Sequence, residues 1–380
     1  LFSLTLSSVP TPRVVVDRSR IRANVAAMQA RAAAARVRLR PHAKTHKSPV
    51  IAQWQTGAGA VGITCAKLGE AEVFAAAGVK DIRLAYPIQP SNAARLQALM
   101  DRARTSIVVD DPDVAEGWST AMQSVGRTLD VLVKVDVGFH RCGMDPESAR
   151  TAVVVRDIAA LGGLNFRGLL AHAGHSYGAK SAEELEAIAE TECAILRGLA
   201  AQLQQEGVDV PEISVGSTPT ARFVPLQEGV TEMRPGNYVF FDRTQVGLGA
   251  ATLDECALTI VSTVVSRPAP SRVIFDAGSK ALSSDGVRGF GTGAGHGLVY
   301  VDLDAPHPDP SIIIERLSEE HATAKVPPAC ALRPGDRVRI LPNHACAVVN
   351  LADELLVVDG SADGSAIVDT LRVEARGRVW

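Results

Sequence analysis

The chain of 380 residues is 46% hydrophobic and 21% charged, enough apolar material for one large barrel or two ordinary domains. Its 39 Lys and Arg stand against 42 Asp and Glu, spread along the chain for a net charge of -3, so there is no basic stripe for nucleic acid and no polybasic patch for a membrane surface. No run approaches the ~20 consecutive apolar residues of a membrane span. Cys65, Cys142, Cys193, Cys256, Cys330 and Cys346 are scattered through apolar stretches, unlike a disulfide scaffold. A reducing compartment is expected, the cytoplasm or an organelle lumen; the chain begins at Leu1, so a targeting peptide could be missing from it.

In chain order, Ile21, Val25, Met28 and Ala32 recur at the period of an amphipathic helix over Arg18 to Ala35. A short strand at Arg38 to Arg40 follows, and then strand-like runs alternate with helical ones: AVGITCA, DIRLAY, SIVVD, LDVLVKVDV, FRGLLAH, EISVGS and TEMRPGNYVFF complete eight strand candidates. Short Val/Ile/Leu runs alternating with helices predict an α/β fold, a (β/α)₈ TIM barrel over 13–248. The rival, an open doubly wound sheet, lacks a GxGxxG after its first strand. Beyond Ala250 the runs ALTIVSTVVSR, SRVIFDAGSK, HGLVYVDL, SIIIERL, DRVRIL, ELLVVDG and IVDTLRVEARG are separated by Pro/Gly/Asp turns. They predict an all-β domain over 249–380, joined by residues 1–12.

Barrel chemistry collects at the carboxyl ends of strands, and unusual polar residues fall there. LRPHAKTHK follows strand one, KVDVGFHRCG ends strand five, AHAGHSYG ends strand six, VGSTPT follows strand seven and RPGNY accompanies strand eight. VGSTPT combines a glycine turn with three hydroxyls, and RPGNY adds a second glycine turn with Asn237 and Tyr238, a pairing suited to phosphate. A lysine beside such a site can form a Schiff base with pyridoxal phosphate; Lys44 fits, with Lys47 its rival in the same run. Arg141 is placed to hydrogen-bond the cofactor's phenolic oxygen. In PNHAC, His344 and Cys346 would share one face of a strand, and imidazole with thiolate suits zinc.

RPHAKTHK, GITCAKLGEAE, KVDVGFHRCGM, VGSTPT, RPGNYVFFD, DAGSKALSSD, SEEHA and PNHAC, in this order, resemble the D-threonine aldolase and D-serine dehydratase family, pyridoxal-phosphate enzymes of the alanine-racemase fold type. The resemblance implies that Lys44 rather than Lys47 anchors the cofactor, and that Arg141 contacts its phenolic oxygen. Ser217, Thr218, Gly236, Asn237 and Tyr238 would lie around the phosphate. His344 and Cys346 would hold a divalent metal ion, zinc being favoured by the thiolate over manganese or magnesium. His172 and His175 are candidate bases for a substrate hydroxyl.

The resemblance also implies a homodimer whose active site lies at the subunit interface, and a small-molecule D-amino acid as substrate. Two reactions compete. Lys280 in DAGSK resembles the aldolases, whereas Cys346 resembles the dehydratases. The expectation is retro-aldol cleavage of D-threonine to glycine and acetaldehyde. The alternatives are dehydration of D-serine or D-threo-3-hydroxyaspartate to a keto acid and ammonia and, of another class, an amino-acid racemase or a non-catalytic pyridoxal-phosphate-binding protein.

Overall fold

Runs such as Ile63–Cys65 and Leu129–Lys134 are buried along nearly their whole length, as the strands of a parallel sheet sheathed by helices must be. The computed structural model describes residues 5–291, 293–360 and 366–380. The chain forms two compact units, one of Met28–Lys44, Ile51–Gly236 and Gly377–Trp380, the other of Leu1–Ala27, Thr45–Val50 and Asn237–Arg376. No helix among the described residues is long and apolar enough to cross a membrane.

The chain opens with β1 (Arg13–Asp17) and α1 (Arg18–Ala34). The barrel then runs β2 (Arg38–Leu39), α2 (Pro49–Gly57), β3 (Ile63–Cys65), α3 (Leu68–Ala76), β4 (Asp81–Leu84) and α4 (Ala93–Met100). It continues through β5 (Arg104–Val109), α5 (Pro112–Gln123), β6 (Leu129–Lys134), α6 (Thr151–Ala159), β7 (Leu164–Leu170), α7 (Ala182–Gln205), β8 (Glu212–Val215) and β9 (Glu232–Met233). Asp111 caps α5 by accepting the Val114 N–H, with Pro112 at its first position, and Ser181 caps α7 through Glu184.

The eight strands β2 to β9 are parallel in the order β2-β9-β8-β7-β6-β5-β4-β3. The last seam closes through a His42–Thr64 bridge and a Thr64 N–H bond of 2.7 Å to the Pro41 carbonyl, so the sheet is a ring. Gly168 lets β7 bulge beside β6: its φ is +134°, and an added Cβ would lie 2.0 Å from the Glu212 carbonyl oxygen. The bulge leaves Arg167 paired with Glu212 at 2.9 Å.

Ionic groups occupy the middle of the ring. Arg83 leaves β4 and reaches β8 and β9 on the opposite side, binding Glu212 at 2.8 Å and Glu232, while its Nε donates to Ser106. Arg40 adds a second contact to Glu232 at 2.8 Å and one to Asp81. Burial opposes ionisation of Glu232, yet Arg83, Arg40 and the Ser214 hydroxyl hold its carboxyl at about 2.

The second unit contains β10 (Leu258–Ala269), β11 (Arg272–Phe275), β12 (Leu298–Tyr300), β13 (Ile313–Leu317), β14 (Ala322–Lys325), β15 (Arg337–Leu341), β16 (Glu354–Val358) and β17 (Asp369–Arg372). Its sheet runs β13-β14-β11-β10-β1-β16-β17, with β15 pairing β10 and β12. It is interrupted by the short helices α8 (Arg243–Gly247), α9 (Ser279–Leu282) and α10 (Ala345–Leu351). Two details differ from the sequence expectation. β1, inside the span 13–248 expected to form the barrel, pairs antiparallel with β10 and parallel with β16, and the main run of the barrel unit stops at Gly236 rather than at 248.

Removing Arg83 would leave Glu212 and Glu232 buried without their shared counter-charge. Arg83→Leu is expected to lower the unfolding free energy by about 3–5 kcal/mol, measured by urea denaturation. Because the folded pKa of Glu232 is depressed, its contribution is present above the unfolded carboxyl value and lost as pH falls toward about 2. The variant should therefore show a flatter acid limb in its stability–pH profile than the parent protein.

Candidate active site

The turn after β2 is a single 3-10 turn, Ala43–Thr45, that presents Lys44 to solvent. It is tied at its root, since the His42 N–H donates to the Pro235 carbonyl at 2.9 Å and the Lys44 N–H to His42 Nδ1 at 3.4 Å. Lys47 is held differently. It is 6% exposed, its backbone is left-handed (φ +49°), and its ammonium donates to Asn350 at 2.7 Å. An ammonium buried against an amide oxygen is a structural group, so Lys44 is the amine of this run that the fold offers to a ligand.

Around that turn the barrel unit gathers cations. His172, just after β7, feels burial first and then Lys44, Arg141, Arg234 and Lys134, and together they push its imidazole well below the usual range. His42 is driven down by burial, Lys44 and Arg234 in the same way. Both rings are therefore neutral at pH 7 and weakly basic. Lys134, at the end of β6, is lowered by burial and by Arg141 and Arg234, with Cys142 opposing. Four cations converging on neutral imidazoles suit an anionic ligand.

His175 lies in the Gly174–Gly178 turn; burial lowers its pKa while Asp136 opposes, and its Nδ1 is buried with no hydrogen-bond partner. The loop after β8 is a cluster of hydroxyls. The Ser217 N–H donates to Thr220 Oγ1 at 3.0 Å, and Ser217 Oγ lies 3.3 Å from Ser176 Oγ. Thr218 is also buried. Gly216 turns the chain at φ +96°, and its N–H donates to Glu192 Oε1 at 3.2 Å.

Glu192, on α7, also accepts the Ala173 N–H at 3.1 Å, so one buried carboxyl ties the loops after β7 and β8. Burial raises its pKa, against Gly216 and Arg234. Arg234, between β9 and Gly236, is fixed on Ser214 and the Ala171 carbonyl, and burial brings it down to about 10. Composition alone missed Glu192 and Arg234. The signal for Glu192 was a lone carboxylate on the apolar stripe Leu185, Ala189, Leu196 of α7.

The second unit holds the remaining expected residues. Tyr238 is fully buried in the Asn237–Val239 turn. The Asn237 amide donates to Asp242 at 2.5 Å and toward Cys346 Sγ at 3.7 Å, which turns its side chain to the imidazole–thiol pair rather than outward. PNHAC is not a strand. His344 is the N-cap of α10 and Cys346 sits in its first turn, because Asp242 accepts the Ala345 N–H at 2.9 Å and so starts the helix between them.

His344 Nδ1 meets Asp285 at 2.5 Å, and the same ring hydrogen-bonds Cys346. Burial opposes its protonation, but Cys346, Asp242 and Asp285 push it up to about 10. The Cys346 thiol donates to Thr45 Oγ1 at 3.3 Å. Among the described residues no group of three or more His, Cys, Asp or Glu side chains is arranged to hold a metal ion. The pair therefore offers two protein donors. Lys280 is elsewhere, on α9, with its exposed ammonium on Glu319 and Glu320 at 3.3 and 2.8 Å.

Residues 16–244 match the family described as alanine racemase, N-terminal domain, and residues 257–358 the putative serine dehydratase domain. The chain is 37% identical over 371 residues to the D-threo-3-hydroxyaspartate dehydratase of Delftia sp. strain HT23, covering 94% of this chain and 97% of the relative. It is 35% identical over 379 residues to the D-threonine aldolase of an Arthrobacter species, covering 98% and 94%. A solved D-threo-3-hydroxyaspartate dehydratase, a cysteine-to-alanine mutant in the metal-free form, superposes with a TM-score of 0.90 at 34% identity over 99% of this chain and 100% of that one.

Replacing Glu192 tests the tie between the two loops. Glu192→Leu strands the N–H groups of Ala173 and Gly216 and should cost roughly 2–4 kcal/mol of stability in urea unfolding. Glu192→Gln keeps an acceptor oxygen in place and should stay within about 1 kcal/mol of the parent.

Proposed function

Because the chain belongs to the fold-type III, alanine-racemase-like family of pyridoxal-phosphate enzymes, and is a pyridoxal-phosphate-dependent lyase of D-amino acids, we propose that it dehydrates β-hydroxy-D-amino acids to a 2-oxo acid and ammonia. The observation that carries this reading is the imidazole–thiol pair His344 and Cys346 on one turn, with Asp285 on the far ring nitrogen. Lys280 supports it from the other side. The lysine that made aldol cleavage the first expectation is engaged by two exposed glutamates.

The barrel residues fit the cofactor. Lys44 would hold it covalently, Arg141 would face its phenolic oxygen, and Ser217, Thr218 and Gly236 with the backbone of Asn237 and Tyr238 would take its phosphate. A cluster of hydroxyls bonded chiefly to one another, beside the left-handed Gly216, is a donor set for a phosphate dianion. Bound there, pyridoxal phosphate supplies an electron sink for charge developing at Cα.

Lys44 is the group to take the Cα proton. His172 and His175 are held neutral, so each would accept a hydrogen bond from the substrate hydroxyl rather than protonate it. The donors of the second unit also fit a metal: a ring nitrogen and a thiolate sulfur suit zinc better than manganese or magnesium, and a carboxylate on the opposite ring nitrogen fixes the tautomer. Zinc held there by His344 and Cys346 would supply Lewis acidity toward a β-hydroxyl, which neutral imidazoles do not.

Retro-aldol cleavage is the second reading, favoured by the 35% identity to a D-threonine aldolase. The discriminating assay gives the cofactor-loaded protein D-threo-3-hydroxyaspartate, D-serine and D-threonine, with and without a chelator. A 2-oxo acid with equimolar ammonia, lost on chelation, is expected; glycine with an aldehyde would overturn the proposal. Lys44→Ala should abolish the visible absorbance of bound cofactor and cut turnover ~10²–10⁴-fold, whereas Lys47→Ala should keep the absorbance. Asp285→Asn should weaken zinc binding roughly 10–100-fold, measured by competition with a chromophoric chelator.

A further inference from the structure

The loop after β6 and the turn after β7 meet at one side chain, Phe139. Its backbone is fixed at the root: the Asp136 carboxylate accepts the N–H groups of Gly138, Phe139 and His140 at 3.0, 3.1 and 3.0 Å. His140 is left-handed, φ +53°, which folds the chain back so that the guanidinium carbon of Arg141 lies 4.9 Å from the centre of the Phe139 ring. That distance is within the range of a cation–π contact.

The ring also meets His172 edge to face, with centroids 6.2 Å apart and planes at 89°. Below it lies Gly174. A Cβ there would sit 2.5 Å from Phe139 Cε1 and 2.6 Å from Cδ1, so the ring occupies the space that any other residue at 174 would need. Gly138 lies beside His175 with room to spare, an added Cβ there falling at ordinary contact distance, 3.5 Å from the imidazole. One phenyl ring thus touches Arg141, His172 and the turn that carries His175, while remaining 36% exposed.

We propose that Phe139 is a positioning residue that sets the Arg141 guanidinium and the His172 imidazole against each other, and that Gly174 is glycine to admit its ring. The inference rests on Arg141 facing the cofactor's phenolic oxygen. An arginine held there favours loss of a proton from the lysine-bound cofactor, so the protonation midpoint of the cofactor's visible absorbance reports how firmly the guanidinium is held.

The test is the absorbance–pH profile of the cofactor-loaded protein and four variants, with turnover measured alongside. Phe139→Leu keeps apolar bulk but removes the π face, and Gly174→Ala displaces the ring, since the three atoms nearest its added Cβ all belong to Phe139. Both should raise the midpoint by ~0.5 unit and lower kcat about fivefold with a smaller change in KM. Phe139→Tyr, which restores the ring, should keep the parent midpoint. Arg141→Ala is the control. If it shifts the midpoint while Phe139→Leu and Gly174→Ala do not, the inference is overturned and the reading of Arg141 stands. If it leaves the midpoint unchanged, that reading fails and takes the inference with it. Melting curves identify a variant that does not fold, and the variant approaching the ring from the other side then decides the outcome.

Discussion

Arg83 crosses the barrel lumen from β4 and neutralises Glu212 and Glu232 together, and the arrangement of the rim depends on that crossing. Glu232 in turn binds Arg40 and accepts from Ser214, whose hydroxyl oxygen accepts from Arg234. Arg234 reaches the Ala171 carbonyl, one residue before His172. A continuous chain of charge-assisted bonds therefore runs from the strands' amino ends to the loop after β7. Such a centre gains little net stability over an apolar one, because desolvation offsets most of the attraction. It supplies directional bonds, and directional bonds fix the strand ends where greasy packing would tolerate sliding.

The rim inherits a positive field from the same arrangement. Arg234 is cationic, buried and oriented by Ser214, and it adds to Lys44, Lys134 and Arg141 around two imidazoles. Burial first, and then this field, hold both rings below the usual imidazole range. One electrostatic feature therefore both favours an anion at the rim and lowers the basicity of the imidazoles there.

Much of this was legible in the sequence. Eight short apolar runs alternating with helical periods yield the ring, because burial on both faces leaves a parallel strand little choice of composition. Lys44 and the loops after β8 and β9 were visible because polar residues directly after such runs have no packing reason to be there. Other features depend on contacts distant in the chain. Residues 13–17 fall inside the span read as the barrel because they abut α1, yet they form a strand whose partners are Thr259, Ile260 and Leu356. PNHAC reads as a strand because β15 precedes it, but Asp242 caps the following turn into a helix. Asp285 and Glu192 were invisible for the same reason: a single carboxylate announces itself only through the groups it meets. Lys280 was legible as a residue of its motif, but not the direction of its side chain, which goes to Glu319 and Glu320.

The position of β1 between β10 and β16 has a consequence for how the protein is made. Its antiparallel partner lies roughly 250 residues further along, beyond every strand of the barrel, and its parallel partner lies further still. At a synthesis rate of about 5–20 residues per second the strand waits on the order of 10–50 s with its edge unpaired while the ring is completed. Val14, Val15 and Val16 are all buried in the finished sheet, so throughout that interval a short valine-rich ribbon is available for wrong partners. Holding it harmless is a task for the cell's folding machinery or for the helix that follows it, and not for the native contacts that eventually cover it.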